Sequence, residues 1–171
     1  TAVMIKGDAA FSLTAMFLGM WRYVTGNNEP LEKFYPVKVN EILPDKHDGY
    51  IQPYCDNPTD REAVGQNVYL NMINSAKEYI LITTPYLIID NVIRTALCNA
   101  AKAGVTVVII TPGVPDKKLV FQVTRSNYSE LLRAGVRIFE FSPGFIHAKM
   151  FVVDGKYATV GTVNLDYSSL Y

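Results

Sequence analysis

Two short stretches near the end of the chain carry the residue types that phosphorus chemistry requires. The first is Gly144-Phe145-Ile146-His147-Ala148-Lys149-Met150-Phe151-Val152-Val153-Asp154-Gly155, and the second is Gly161-Thr162-Val163-Asn164. The apolar, β-branched run from 146 to 153 predicts a strand. Alternation puts His147 and Lys149 on one face, with Cα atoms about 6.6 Å apart at the usual strand rise. An imidazole and an ammonium at that spacing can grip one small anion. Asp154-Gly155 is a turn dipeptide, and Tyr157 to Val160 predicts a returning strand. The hairpin brings Gly161, Thr162 and Asn164 back beside His147. Gly161 leaves room for close approach, while Thr162 and Asn164 add a hydroxyl and an amide. The pattern puts no carboxylate on that face. A nucleophile or base, a fixed cation and neutral donors suit the oxygens of a phosphoryl group.

Each of these residues also has a plainer reading. His147 alone could be a half-buried histidine bonded to the backbone, and Asn164 a turn-forming residue. Lys149 could be a surface lysine, but Met150, Phe151 and Val152 beside it argue against an exposed edge. Asp154 lies at an odd offset from His147 and faces the other way in a regular strand. Bracing the hairpin is the preferred role for it over direct chemistry.

The elements that must position this set alternate between helix and strand. Val3 to Lys6 reads as a short strand, and Asp8 as the cap of a helix from Ala9 to Tyr23 that is apolar nearly all round. Such a helix is read either as buried or, less well for lack of positive charge, as lying on a membrane surface. Residues 25–48 are punctuated by Gly26-Asn27-Asn28-Glu29-Pro30, Pro36 and Pro44-Asp45, as in a connection. Gly49 to Gln52 reads as a strand edge. Helices are expected over Glu62–Lys77, from an Asp90 cap to Lys102, and from an Asp116 cap to Ala134, the last two stopped by Gly104 and Gly135. Strands are expected at Tyr79–Thr83, Val105–Thr111 and Val136–Phe141. This alternation predicts an α/β fold with a mixed, largely parallel sheet and helices on both faces. Ligands in such sheets bind beyond strand ends, so the loops 84–87, 111–116 and 142–145 are the expected rim.

Composition narrows the partners. Sixteen basic and sixteen acidic residues cancel among 171, which argues against a broad basic surface for nucleic acid. The longest nearly apolar stretch, 15–21, is far short of the ~18–20 residues of a membrane span. Cys55 and Cys98 fit neither a disulfide framework nor a zinc pattern and read as reduced thiols. The opening Thr1, with no Met, reads as the start of a piece cut from a longer protein.

His147-x-Lys149-x4-Asp154 followed by Gly161-Thr162-x-Asn164 resembles the phospholipase D superfamily signature. With Thr84-Pro85-Tyr86, Ala100-Ala101-x-x-Gly104-Val105, Leu132-x-x-Gly135-Val136 and Asn164-Leu165-Asp166-Tyr167, the chain is similar to the C-terminal catalytic half of bacterial cardiolipin synthases. The resemblance implies that residues 1–46 are the tail of a preceding catalytic half plus a linker. Residues 47–171 would be a second phospholipase D-like domain, incomplete at its C-terminus.

It implies further that His147 attacks phosphorus and forms a phosphohistidine, helped by Lys149 and Asn164, with Asp154 in the catalytic motif and Gly161, Thr162 and Tyr86 at the substrate. Tyr86 and Gln52 read equally well as packing residues. A neutral imidazole is a competent nucleophile near pH 7, so neither metal nor organic cofactor is called for. The implied reaction joins two phosphatidylglycerol molecules into cardiolipin and releases glycerol, at the cytoplasmic face of a bacterial inner membrane. The second proton-handling histidine would come from the N-terminal half or from a second copy; His47 reads as a solvated loop residue. The piece alone is expected to be soluble and inactive. Ser168 stands where the family usually has Arg. The alternatives are a lipid or nucleic-acid phosphodiesterase on the same motif, and a non-catalytic lipid-headgroup binder.

Overall fold

The computed structural model describes residues 2–35, 49–56 and 62–166. The chain forms two compact units, Val3–Cys55 and, in the main, everything from Asp56 on. In the first, helix α1 spans Asp8–Thr25 and a single 3-10 turn covers Leu31–Phe34. Asp8 does not cap the helix as expected. Gly7 takes that position at φ 99°, and Asp8 is the first helical residue. Gly26, left-handed at φ 71°, ends the helix by donating its N–H to the carbonyl of Arg22. Phe11 packs on Tyr35, ring centroids 4.8 Å apart. No residue of α1 is buried, and Phe17, Met20, Trp21, Tyr23 and Val24 are exposed. Both short strands expected in this unit, Val3–Lys6 and Gly49–Gln52, are irregular.

The second unit is built on a five-stranded sheet. Its elements are α2 (Val64–Ser75), β1 (Tyr79–Thr83), α3 (Asn91–Lys102), β2 (Thr106–Pro112), α4 (Lys118–Ser126), α5 (Tyr128–Arg133), β3 (Arg137–Phe141), β4 (Met150–Val153) and β5 (Tyr157–Val160). The strand order is β3-β2-β1-β4-β5. β1, β2 and β3 run parallel, and the β4–β5 hairpin joins β1 antiparallel. Thr83 pairs with Met150, so β4 starts where β1 ends. The residues just before Met150 therefore lie at the carboxyl ends of the three parallel strands.

Local chemistry sets the boundaries. Asp90 caps α3 by accepting the N–H of Ile93 at 2.8 Å, as Asp does at this position. Gly104 and Gly135 follow their helices at φ 96° and 98°, a region closed to most side chains. Asp154 and Gly155, at φ 52° and 63°, turn the hairpin, and the N–H of Lys156 closes it on the carbonyl of Val153 at 2.9 Å.

The expected single helix from Asp116 to Ala134 is divided at Asn127. That side chain donates to the carbonyls of Leu87 and Val123, both at 3.0 Å, and accepts from Arg94 at 2.9 Å. Tertiary bonds to the β1–α3 loop and to α3 thus override the helical periodicity.

Ile80 and Ile82 of β1, Val107 and Ile109 of β2, and Phe151 and Val153 of β4 form one buried row each. They meet Tyr69 and Ile73 of α2, Ile93 and Leu97 of α3, and Leu131 of α5. The alternate residues form the other face, where Leu81 is 43% exposed, Phe139 57% and Val160 43%. Among the described residues of this unit the helices therefore cover one face of the sheet, not both. Phe151 is fully buried and stacks on Tyr69, centroids 5.1 Å apart. Phe151→Ala is expected to lower the unfolding free energy by about 3–5 kcal/mol in urea denaturation. A loss under about 1 kcal/mol would contradict this packing.

Candidate active site

Lys149 continues the inward row of Phe151 and Val153, one step beyond the first residue of β4. The expected strand from Ile146 begins only at Met150, yet the carbonyl of Lys149 still accepts the N–H of Gly161 at 3.3 Å. That bond holds Gly161 directly across from Lys149. Lys149 is only 9% exposed. It borders a small cavity with Thr84, Phe151, Val163 and Leu165. Its ammonium lies 3.0 Å from Nδ1 and 3.1 Å from Nε2 of His147, and 3.1 Å from the carbonyl of His147. An ammonium has only donors, so the ring nitrogen it bonds must offer a lone pair.

The His147 ring is exposed and held from two sides. Phe145 stacks on it, centroids 5.7 Å apart and planes 25° apart. Tyr86 meets it edge-on, 6.3 Å away at 76°. The loop carrying Tyr86 is tied down at several points. Thr84 Oγ1 donates to the carbonyl of Tyr86 at 2.8 Å, and the N–H of Leu87 donates to Thr124 Oγ1 at 3.2 Å. The N–H of Ile88 donates to the carbonyl of Leu165 at 2.8 Å. Asn164 is half-buried between Val163 and Leu165 in this same strand-end region, while Thr162 and Gly161 are exposed. The three expected rim loops do meet here.

Two acidic residues from outside the hairpin act on this site. Burial pulls the Lys149 ammonium below its ordinary pKa, and the charges of Asp166 and then Asp116 oppose that. Asp166 is itself buried, and Asp116 is exposed. The Tyr86 hydroxyl donates to Asp116 Oδ2 at 2.5 Å. This bond, followed by burial, pushes the Tyr86 hydroxyl up to about 12, and the same bond holds the Asp116 carboxyl below its usual range against the opposing effect of burial. Sequence reasoning took Asp116 for a helix cap, so its site position went unseen. The signal was its place in a strand-end loop.

Asp154 does not join His147 and Lys149. It sits at the opposite end of β4, at the turn. Its carboxylate accepts the N–H groups of Lys77, Glu78 and Tyr79 at 2.7, 2.9 and 2.8 Å. Gln52 is exposed and belongs to the first unit. His47 and Ser168 lie outside the described residues. Among the described residues no three His, Cys, Asp or Glu side chains gather where they could share a metal ion.

The model of the family described as "Cardiolipin synthase, PLD-like domain" matches residues 69–171. The chain belongs to this family. An uncharacterized protein of Streptococcus mutans is 47% identical to this cardiolipin synthase-like chain over all 171 residues, which are 36% of that protein. A cardiolipin synthase of Geobacillus thermodenitrificans is 37% identical over 171 residues, 34% of its length. Cardiolipin synthase 2 of Bacillus anthracis is 38% identical over the same span, 33% of its length. The chain thus spans about a third of the length of the curated relatives it matches. The crystal structure of Nuc, a phospholipase D family member from Salmonella typhimurium, shares the fold. Its TM-score is 0.53 at 24% identity, over 61% of this chain and 66% of that one. In this cardiolipin synthase-like domain no helix among the described residues is long and apolar enough to cross a membrane.

The Asp154 clamp generates a pH-dependent prediction. The bond from the N–H of Tyr79, followed by those from Lys77 and Glu78, lowers its carboxyl pKa in the folded state. A depressed carboxylate stabilises the fold above the unfolded pKa and loses that effect as pH falls through the folded value. Asp154→Asn is therefore expected to lower the melting temperature at pH 7. The gap to wild type should close on acidification below about pH 4. A gap independent of pH would remove the charge from this account.

Proposed function

We propose that the intact protein transfers phosphatidyl groups through a phosphohistidine at His147, making cardiolipin from two phosphatidylglycerol molecules. The observation that carries this reading is the buried Lys149 ammonium held within 3.1 Å of both ring nitrogens of His147 at an open strand-end site. The ammonium engages the imidazole lone pair. A phosphodiester oxygen entering the site takes over that hydrogen bond, and the ring nitrogen becomes free to attack. The N–P bond forms as the P–O bond to the leaving alcohol breaks, and a general acid protonates that alcohol. In the second half, an acceptor hydroxyl attacks phosphorus, the N–P bond breaks, and the hydroxyl proton returns to the same acid–base group. Lys149 neutralises the oxygens as charge builds on them. Asn164 adds its amide to the same oxygens, and Gly161 and Thr162 border the headgroup.

The acid–base partner is a histidine of a second signature, in a preceding half to which residues 1–46 belong, or in a second copy. This division of labour makes the isolated chain inactive. The membrane surface supplies both substrates, on the cytoplasmic face of a bacterial inner membrane. The family described above supports this choice among phospholipase D-type reactions. The cancelling charges support a lipid rather than a nucleic acid as the phosphodiester.

The test is mass spectrometry of the intact protein quenched during turnover on phosphatidylglycerol vesicles, with a plasmid-cleavage assay in parallel. A phosphatidyl or phosphate adduct on His147 and cardiolipin in the vesicles are expected. Both should be lost in His147→Ala, with about 10³-fold or greater loss of rate. An adduct on another residue, or plasmid cleavage without lipid turnover, would overturn the proposal.

A further inference from the structure

Asp116 stands just before α4, where an Asp would ordinarily cap the helix. Instead α4 begins at Lys118 with Lys117 in the cap position and no side-chain cap bond. The Asp116 carboxylate reaches across to the next loop and takes the Tyr86 hydroxyl at 2.5 Å. A favourable local cap has been forgone for a contact beside the candidate nucleophile, and departures from local rules concentrate at functional sites. Tyr86 is also the residue whose ring edge meets His147.

We propose that Tyr86 and Asp116 select the acceptor, by binding a neighbouring hydroxyl of a glycerol-type polyol while another hydroxyl attacks phosphorus. This rests on the phosphatidyl-transfer reading and deepens it. The chemistry of the pair fits such a ligand. Asp116 is exposed and already bonds one hydroxyl, and an ionised carboxylate can accept about four hydrogen bonds. The Tyr86 oxygen retains its own acceptor capacity. The charges point the same way. Asp116 and Asp166 both act on Lys149, so their field disfavours an anionic group at the pair itself and admits the neutral hydroxyl end of the acceptor's glycerol. In the transfer step the attacking O–H belongs to one carbon of the polyol. The O–P bond forms, the N–P bond to His147 breaks, and the proton goes to the acid–base group named above. The hydroxyl on the adjacent carbon stays bonded to the pair throughout and only sets direction.

The experiment is a competition in the intact protein on phosphatidylglycerol vesicles, offering isotopically labelled glycerol and 1-propanol together. Propanol has the same carbon chain without the other two hydroxyls, the neighbouring one included. Mass spectrometry gives the ratio of labelled phosphatidylglycerol to phosphatidylpropanol. Wild type is expected to favour glycerol, and Asp116→Asn and Tyr86→Phe each to lower the ratio about tenfold. A variant that merely folds less well loses both products alike and leaves the ratio alone, and Tyr86→Phe keeps the ring that faces His147. Both products at a ratio shared by wild type and both variants would overturn acceptor selection alone. A wild-type protein that makes neither product would remove the transfer reading and this one with it.

Discussion

The site depends on keeping an ammonium out of water. Lys149 is almost wholly buried at the end of an apolar row, and an isolated charge there is costly unless it is bonded and balanced. The imidazole and carbonyl of His147 supply the bonds. Asp166 and Asp116 supply opposite charge from two separate loops. The lysine thereby fixes where His147, the β2–α4 loop and the segment after β5 must lie. Phosphate oxygens would meet the same electrostatic need, which is why a site assembled this way suits an anionic ligand.

Much of this was legible in the letters. Tyr79–Thr83 and Tyr157–Val160 are strands with the bounds their alternation predicts, and Asp90 and Gly104 bracket their helix as capping chemistry requires. The juxtaposition of His147 and Lys149 followed from residue spacing, although the regular strand begins after them. What could not be read were contacts between residues far apart in the chain. Asp116 obeys a distant tyrosine rather than its own helix. Asn127 divides a helix because Leu87 and Arg94 claim its side chain. Local rules see neither partner.

The sheet shows another limit of pattern reading. The alternation of helix and strand along the chain predicts helices on both faces. The described helices of the second unit cover one, and Leu81 and Phe139 remain exposed on the other. An apolar pattern records the character of a face; it does not say what lies against it.

The carboxylate of Asp154 gathers three successive N–H groups at the entry to β1. Its effect is felt at the far end of β4. Were that strand to slip by one residue against β1, every side chain along it would change sides. Lys149 would then swing to the outer surface and leave the cavity it borders with Thr84 and Leu165. A residue remote from the chemistry thus acts as the indexing pin of the hairpin: it dictates which side of the sheet holds the nucleophile's companion, without ever approaching a substrate.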